Sequence, residues 1–340
     1  MKTIFIVDDS VTNLVAAKNV LADAYKTFTM PSASRMFQLL EKITPELILL
    51  DIEMPDMNGF EALSILKANE KFKNLPVIFL TAKSDSESEI RGFEMGAIDF
   101  INKPFSPPVL IRRIETHIEL ARLINQSLQA VRRVHNATIN VIANMVENRD
   151  EVTGRHIDRT QKYVTILVNE LIRSGIYADE MSGWHLDVLL PSAQLHDVGK
   201  ITISDVILNK PGKLTPEEFD VIKRHTIEGE RIIDEMIKKA EEDGFLIHAK
   251  RFAGCHHEKW NGKGYPKGIC GENIPLEGRI MAVADVYDAL VSERPYKGPF
   301  PHEQAVDIIR KESGIHFDPS LVEAFLKVER DFGIESANHE

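Results

Sequence analysis

Cysteine is scarce in this sequence, with only Cys255 and Cys270 among 340 residues. Two isolated cysteines provide neither a disulfide framework nor the paired spacing of a zinc ribbon, and they favour a cytoplasmic protein. Long apolar runs are also missing, so no segment is expected to insert into a membrane. The first apolar run, Thr3 to Val7, ends at the acidic pair Asp8 and Asp9, and we therefore do not interpret it as a signal peptide.

Basic residues are outnumbered by acidic ones, 41 to 52, which gives a formal net charge of −11. Nucleic-acid binding needs a basic face that displaces counterions, so no nucleic-acid partner is expected. A small anionic ligand is still compatible with this charge, because metal ions or a few cationic side chains can reverse the local potential. The length suits two domains, each large enough for its own hydrophobic core.

The first 120 residues alternate short apolar runs with helical patterns. The apolar runs have the length and composition of buried parallel strands; they are residues 3–7, 46–50, 76–80 and 98–101. Strand–helix alternation predicts a doubly wound α/β sheet, with a site at the carboxyl ends of the strands.

Acidic residues cluster at those strand ends, where Asp8, Asp9 and Asp51 are expected to converge. Three carboxylates repel each other unless a hard cation such as Mg²⁺ lies among them. Such a cation can hold a phosphoryl group against a carboxylate nucleophile, while a hydroxyl and a lysine bind its oxygens; Thr81 and Lys103 follow the later strands. The alternative is that each acid caps a helix, which is the commoner role of a single Asp at a strand end.

These positions, together with DIEMPDMNG at 51–59, resemble the receiver domain of two-component signalling over residues 1–121. The resemblance implies a flavodoxin-like fold and a sensor histidine kinase as phosphate donor. It implies that Asp51 is the phosphoacceptor and binds Mg²⁺ together with Asp8 and Asp9. The switch residues that it implies are Thr81, Phe100 and Lys103.

Helical apolar spacing continues without a break from Ile111 to Met145. This spacing predicts that the last receiver helix extends into, or closely precedes, a connecting helix over residues 122–148. The connecting helix either packs on its own domain or pairs with its twin in a homodimer. Spacing alone does not choose between these two interpretations.

Seven of the twelve histidines lie between His156 and His257. Five of them, with two aspartates, can form one cluster only if separate helices converge, as in the core of a helical bundle. Imidazole and carboxylate ligands without thiolate favour Fe, Mn, Zn, Ni or Co over a structural zinc site. The predicted ligands are His156, His196, Asp197, His225, His256, His257 and Asp285.

Four motifs in this region resemble the HD-GYP family of phosphohydrolases, over residues 140 to 330. They are TGRH at 153–156, HDVGK at 196–200, HHEKWNGKGYP at 256–266, and the segment from Arg279 to Lys297. The resemblance implies an all-α HD-type bundle, which we place at residues 149–340. It also implies hydrolysis of cyclic di-GMP to pGpG with two divalent transition-metal ions, Fe or Mn being favoured, and it leaves open whether a second cleavage to GMP follows.

The resemblance further implies how the ligands divide. One ion would be bound by His156, His196, Asp197 and Asp285, and the other by Asp197, His225, His256 and His257. Asp197 would bridge the ions and act in catalysis together with Lys200, which lies four residues after His196 and so on the same face of a helix. The implied substrate-binding residues are Lys200, Tyr265, Arg294 and Lys297. For Tyr265, a purely structural role in the loop is an equal alternative.

One departure from the family pattern limits the metal count. Members with three metals carry a Glu one helical turn before the first histidine, and here that position is Val152. Two metals are therefore expected. Glu258, after the histidine pair, is expected to orient a ligating imidazole.

Two alternatives to cyclic di-GMP hydrolysis remain open. The first alternative substrate is another cyclic dinucleotide, such as cyclic GMP-AMP, because no residue of the sequence fixes both bases. The domain is alternatively a silent cyclic-dinucleotide receptor or a protein-interaction module, although a binding domain has no need for all seven ligands.

Overall fold

The computed structural model describes residues 1–69, 71–82, 86–149, 156–240, 244–293 and 298–337. The chain divides into two compact units, Met1–Val131 and Arg132–Glu340. The division falls within one continuous helix, so the domain limits at 121 and 148 remain predictions from the sequence.

The described residues of unit 1 contain a five-stranded parallel sheet. Its strands are Thr3–Val7 (β1), Lys26–Met30 (β2), Leu47–Asp51 (β3), Val77–Thr81 (β4) and Asp99–Asn102 (β5). Their order is β2-β1-β3-β4-β5. Every residue of β3 and β4 is buried, because apolar side chains pack on both faces of the sheet. The doubly wound α/β fold predicted for this part is confirmed.

The helices of unit 1 connect and cover these strands. They are Val11–Leu21 (α1), Ala33–Leu40 (α2), Gly59–Ala68 (α3), Ser86–Glu94 (α4) and the first part of Pro107–Glu147 (α5). α3 begins with a capping box, in which Asn58 and Glu61 each accept a backbone hydrogen bond from the other at 3.0 Å. A Cβ at Gly59 would lie 2.4 Å from the Asp51 carbonyl oxygen, so only glycine permits this close approach after β3.

The long helix α5 contributes to the core of each unit. Leu110, Ile114 and Ile118 are buried in unit 1, and Ile139, Ala143 and Val146 are buried near its C-terminal end. The apolar side chains between these two groups are exposed. The receiver helix and the predicted connecting helix are therefore one element.

The regular secondary structure in the described residues of unit 2 is helical, apart from one isolated bridge. The helices that follow α5 are His156–Ser174 (α6), Leu186–Ser192 (α7), Asp205–Leu208 (α8), Pro216–Ala240 (α9), Gly244–Cys255 (α10), Leu276–Val291 (α11), His302–Lys311 (α12) and Pro319–Ala337 (α13). Short 3₁₀ turns lie at Ala193–Leu195, Val198–Thr202 and Gly271–Asn273. The predicted all-α bundle is confirmed.

Fully buried aromatic rings join the helices at the centre of this bundle. Tyr163 of α6 stacks on Phe332 of α13 at 4.8 Å and meets Tyr287 of α11 edge-on at 5.1 Å. Such ring contacts add specific geometry to the hydrophobic burial. They fix α6 against α11, and these two helices carry His156 and Asp285.

In the described parts of the chain, no helix is both long and apolar enough to cross a membrane.

Candidate metal centre

Each predicted ligand of unit 2 lies at the end of an element or on the inner face of a helix. His156 is the first residue of α6, and His225 and Asp285 lie within α9 and α11. The pair His256-His257 follows the last residue of α10, in a turn. The pair His196-Asp197 lies between two 3₁₀ turns. Five separate segments thus supply one cluster.

The segment HDVGK is not the regular α-helix that the predicted geometry of Lys200 assumed. The turn Val198–Thr202 is 3₁₀, in which residues three apart eclipse each other. Lys200 is therefore placed over Asp197 rather than beside His196, and its Nζ lies 2.8 Å from Asp197 Oδ2. The expectation that Lys200 shares a face with His196 was wrong for this reason.

The 3₁₀ turn that contains Gly199 packs directly against α9. A Cβ at Gly199 would lie 1.9 Å from the carbonyl oxygen of His225 and 2.5 Å from the amide nitrogen of Gly229. Any side chain would push the turn away from the helix. Glycine at this position keeps Asp197 within reach of His225, with 3.3 Å between Oδ1 and Nε2.

The ligand atoms form two groups. His156, His196 and Asp285 make one, and His225, His256 and His257 make the other, with the ligand atoms within each group at most 4.8 Å apart. The Asp197 carboxylate is close to members of both. Its Oδ2 is 3.5 Å from His196 Nε2, and its Oδ1 is 3.6 Å from His256 Nε2. The structure thus brings the predicted ligands together in two groups, with the Asp197 carboxylate near both.

Backbone contacts orient several of the imidazoles. Nδ1 of His196, His225 and His256 lies 3.0, 2.7 and 2.9 Å from a main-chain carbonyl oxygen. A carbonyl oxygen only accepts, so Nδ1 carries a hydrogen. Nε2 is therefore the nitrogen of each of these imidazoles that is available to bind a metal ion.

Two further observations indicate that this set of donor atoms suits divalent metal ions. Nε2 of His196 and Oδ1 of Asp197 are buried without a hydrogen-bond partner among the described residues, which is costly unless another group satisfies them. Burial also lowers the pKa of His196 and of His225 to about 4, so both are neutral ligands at neutral pH. Burial opposes ionisation of Asp197, but Lys200 and the imidazoles hold its pKa well below the usual value. The centre thus combines the neutral imidazoles of His196 and His225 with the ionised carboxylate of Asp197.

His156 is held by two acids that sequence reasoning missed. Oδ2 of Asp288 lies 2.7 Å from its Nδ1, and Glu147 accepts a hydrogen bond from its backbone nitrogen at 2.9 Å. Arg159 donates to both oxygens of Asp288, at 2.6 and 2.9 Å. Burial opposes protonation of His156, but Asp288 and Asp285 raise its pKa. A carboxylate on the distal nitrogen is a common support for a metal-bound histidine, and Asp288 lies one helical turn after Asp285, which was the available signal.

Glu258 does not orient an imidazole. Its Oε1 accepts hydrogen bonds from the backbone nitrogens of Lys267 and Gly268, at 2.7 and 3.1 Å. The expectation was wrong because the loop after the histidine pair folds back and its backbone donors need a buried acceptor. Glu258 therefore fixes the loop that contains Tyr265.

The predicted acidic cluster of unit 1 is also assembled. Asp8, Asp9 and Asp51 place carboxylate oxygens within 4.8 Å of one another. Lys103 Nζ lies 2.6 Å from Asp8 Oδ2 and 2.8 Å from Asp51 Oδ1. Burial, with a smaller repulsion from Asp8, raises the pKa of Asp51 although Lys103 opposes this. Three acids with one lysine leave excess negative charge, which suits a hard divalent cation.

The other switch residues lie near this cluster. Thr81 ends β4 and lines the same cavity as Asp9, Asp51 and Lys103. Phe100 is buried in β5, with its ring 5.3 Å from that of Phe79. The Phe100 ring is thus turned inward and is part of the hydrophobic core.

Two family models match the chain, one to each set of motifs. The model described as "Response regulator receiver domain" matches residues 4–115, and the model described as "HD domain" matches residues 140–321, more than half of the chain. The order of the two domains agrees with the two sites described above. This chain is a response regulator of the HD-GYP family.

Two of the following relatives match this chain over both domains. A probable cyclic di-GMP phosphodiesterase of Vibrio cholerae is 42% identical over 97% of this chain and 78% of its own length. The cyclic di-GMP phosphodiesterase response regulator RpfG of Xanthomonas campestris is 33% identical over 95% of this chain and 87% of its own length. A 3'3'-cGAMP-specific phosphodiesterase 2 of Vibrio cholerae is 39% identical over 55% of this chain and 33% of its own length. The chain thus belongs to the metal-dependent cyclic-dinucleotide phosphodiesterases.

The metal centre of this response regulator opens into a cavity of about 410 Å³. Polar ligands and apolar side chains such as Leu208 and Ile222 line it together. Lys200 and Tyr265 both face this cavity, and the Tyr265 ring lies 4.7 Å from that of His257. The other predicted substrate-binding residues, Arg294 and Lys297, lie outside the described residues, as does Val152.

Proposed function

We propose that the HD-GYP domain of this response regulator hydrolyses cyclic di-GMP to linear pGpG at a two-metal centre. The observation that carries the proposal is the pair of three-residue ligand groups with the Asp197 carboxylate between them. A binding-only pocket has no chemical need for two such groups around one carboxylate. The names of the cyclic di-GMP phosphodiesterases that match over both domains support the choice of substrate.

The division of labour follows from the ligand chemistry. When bound, two divalent ions supply polarisation of the phosphodiester and an activated water as nucleophile. Asp197 is proposed to bridge them, since its two oxygens are directed at different groups of imidazoles. His156, His196 and Asp285 would hold one ion, and His225, His256 and His257 would hold the other. The water oxygen would form a bond to phosphorus while one P–O ester bond of the ring breaks, and the proton released by the water would pass to the leaving ribose oxygen.

Lys200 is proposed to bind the substrate phosphate. Its Nζ lies 2.8 Å from Asp197 Oδ2 and borders the cavity. An ammonium next to the bridging carboxylate is placed where negative charge increases as phosphorus is attacked, and stabilisation there lowers the barrier. Tyr265 is proposed to contact the dinucleotide across the same cavity, and Arg294 and Lys297 remain proposed contacts from the sequence pattern.

The native metal is proposed to be Fe or Mn, with two ions per chain. The donor set of imidazoles and carboxylates accepts both, as well as Zn, Ni and Co, so availability and geometry decide. The count of two rests on the side chain at position 152, where valine offers no ligand atom.

Metal content and turnover, measured together on the purified full chain, test the proposal. Protein loaded with Mn²⁺ or Fe²⁺ is expected to hold two ions in the second domain and to convert cyclic di-GMP to pGpG. Asp197→Ala is expected to lose both ions and on the order of 1000-fold or more in rate, because it removes several kcal/mol of metal-dependent stabilisation. A fully metallated wild-type chain that binds cyclic di-GMP without product, with Asp51 phosphorylated or not, would instead identify a receptor.

A second candidate substrate is cyclic GMP-AMP, favoured by the 3'3'-cGAMP-specific relative that matches 55% of this chain. The cavity contacts described here distinguish phosphates rather than bases. Parallel kcat/KM measurements with the two dinucleotides decide between them, and a preference of tenfold or more for cyclic GMP-AMP, about 1.4 kcal/mol, would replace the proposed substrate.

The receiver domain is proposed to bind Mg²⁺ through Asp8, Asp9 and Asp51 and to take a phosphoryl group on Asp51. The phosphodonor is proposed to be a sensor histidine kinase. Lys103 lies between Asp8 and Asp51. Its ammonium group is placed to bind the phosphoryl oxygens once they displace one of these two carboxylates. The proposed location is the cytoplasm, where an exposed free thiol such as Cys270 stays reduced.

A homodimer through α5 is proposed from the exposed apolar positions of this helix. Val131, Val134, Val141 and Met145 are all exposed, and their spacing of three, seven and four residues follows the a and d positions of a coiled coil. Sedimentation of the full chain is expected to give a dimer. Val134→Glu together with Val141→Glu is expected to give a monomer, and an unchanged mass would exclude this interface.

A further inference from the structure

Arg149 lies two residues after the end of α5 and was not among the predicted site residues. Its guanidinium donates to the carbonyl oxygens of Ile201 and Ile203, at 2.6 and 3.0 Å. Both carbonyls follow Lys200 at the end of the 3₁₀ turn Val198–Thr202. The last carbonyls of a helical turn have no partner inside the turn, so a guanidinium that binds two of them holds that end in place.

Further contacts fasten the same residue to the start and end of α8. Its Nε and Nη2 donate to Oδ1 of Asp205, at 3.1 and 2.7 Å. Its backbone carbonyl accepts a hydrogen bond from Nδ2 of Asn209 at 2.7 Å. One residue thus binds the whole segment 201–209, which borders the cavity through Leu208.

The two ends of the 3₁₀ turn Val198–Thr202, which contains Lys200, are restrained in different ways. Its beginning is packed against α9 at Gly199, where no side chain fits. Its end is bound by hydrogen bonds from Arg149, a side chain with the planar fork that suits two acceptors at once. Lys200 lies between these restraints, with its Nζ against Asp197.

We propose that Arg149 is a positioning residue for Lys200: it holds the end of the 3₁₀ turn so that the ammonium group stays beside Asp197. The inference rests on the proposed phosphodiesterase function and extends it to a residue outside the ligand set. A displacement on the order of 1 Å can cost about 100-fold in rate. Loss of the guanidinium therefore lowers kcat although no metal ligand is removed.

A double-mutant cycle in the full, Mn²⁺-loaded chain tests this role. Arg149→Ala is expected to lower kcat for cyclic di-GMP about tenfold, with KM changed far less. In a Lys200→Ala background the same substitution is expected to change kcat less than about twofold, because the group that it positions is absent. Equal losses in both backgrounds would show a general structural effect and would overturn the proposal.

Arg132→Ala is the matched control, since Arg132 lies on the same helix and also pairs with a carboxylate of another element, Asp187. It is expected to leave kcat and metal content unchanged. Arg149→Ala is expected to keep two ions per chain, and loss of metal from this variant would contradict a role through Lys200.

Arg149→Lys keeps the positive charge but lacks the planar guanidinium that binds two acceptors at once. This variant is used if Arg149→Ala does not fold. A smaller loss of kcat is expected, again present only when Lys200 is present. Hydrogen–deuterium exchange of the peptide 198–204 tests, without turnover, whether Arg149 holds the end of this turn. Exchange is expected to rise in Arg149→Lys and not in Arg132→Ala. Unchanged exchange in Arg149→Lys would overturn the positioning role of Arg149, whereas a wild-type chain without product would overturn the proposed function.

Discussion

The receiver domain and the HD-GYP domain each place a lysine against a buried aspartate at a candidate metal site, yet the two aspartates are shifted in opposite directions. Burial raises the pKa of Asp51, and Asp8 adds to this although Lys103 opposes it. At the other site Lys200 and the imidazoles outweigh burial, and the pKa of Asp197 falls well below its usual value. What surrounds a carboxylate, rather than the lysine alone, therefore decides its charge.

The comparison also separates two ways of building a metal site. The receiver collects charge: three acids lie at the ends of neighbouring strands, within a chain segment of 44 residues. Such a site attracts a hard cation such as Mg²⁺ mainly by electrostatics. The HD-GYP domain collects imidazoles, whose nitrogen lone pairs suit transition metals. Burial lowers the pKa of His196, His225 and His257, so the protein core keeps these three imidazoles neutral.

The largest expected effect sharpens this comparison at the receiver. Asp51→Asn is expected to abolish phosphoryl incorporation from acetyl phosphate, which in the wild type should require Mg²⁺ because the acidic cluster cannot otherwise accept more negative charge. Intact-protein mass spectrometry measures the incorporation. Asp56→Asn, an exposed acid of the same loop, is the control and should behave as wild type. Phosphate that persists in Asp51→Asn would assign the acceptor elsewhere.

Lys200→Ala tests whether the second lysine serves chemistry rather than charge balance. It is expected to lower kcat by about 10- to 1000-fold, the range for loss of one electrostatic stabiliser. Metal content, measured by elemental analysis, should persist because no ligand is removed. Lys327→Ala, which breaks an exposed ion pair on α13, is the control and should leave the rate unchanged. A rise in KM with unchanged kcat would show that Lys200 binds substrate and transition state equally.

Asp288→Asn tests the carboxylate that supports His156. The substitution keeps an acceptor near His156 Nδ1 but removes the charge that pairs with Arg159. Metal affinity is expected to fall about 10- to 100-fold, as for other acids behind a metal-bound histidine. Titration calorimetry with Mn²⁺ measures it, and Asp307→Asn, whose partner Arg310 is exposed, is the control. An unchanged affinity would mean that Asp288 supports only the fold.

The smallest effect concerns the metal-free protein in acid. His196 and His225 have pKa values of about 4 in the folded state against 6.5 for the free side chain. The unfolded chain therefore binds more protons between pH 6.5 and 4, and stability falls as the pH is lowered through this window. The pKa of His156 is raised in the folded state, so its protonated form stabilises the fold. This contribution is lost as the pH rises from 6.5 through the folded-state pKa.

Thermal melts of the metal-free chain at a series of pH values measure this effect. A decrease in Tm is expected on acidification, and saturating Mn²⁺ should oppose it, because metal ions compete with protons for the same nitrogen atoms. A melting temperature that stays constant from pH 6.5 to 4 would contradict the neutral, buried state of these imidazoles.

The sequence by itself determined the residue types and their order. Asp51 within DIEMPDMNG, the adjacent pairs His196-Asp197 and His256-His257, and alternating apolar runs are local patterns, and they predicted both folds and the sets of side chains that the structure brings together. Local patterns suffice here because strand and helix periodicity decide which residues face inward. The ligand roles themselves remain predictions until the metal is measured.

Only the tertiary structure decided what supports those side chains. Asp288 meets His156 across 132 residues of chain, and Arg149 binds the carbonyls of Ile201 and Ile203 across more than 50. The 3₁₀ form of HDVGK, which places Lys200 on Asp197, depends on the close packing at Gly199. These contacts arise because buried donors and acceptors must find partners wherever packing brings them, and no local spacing encodes which distant group that will be.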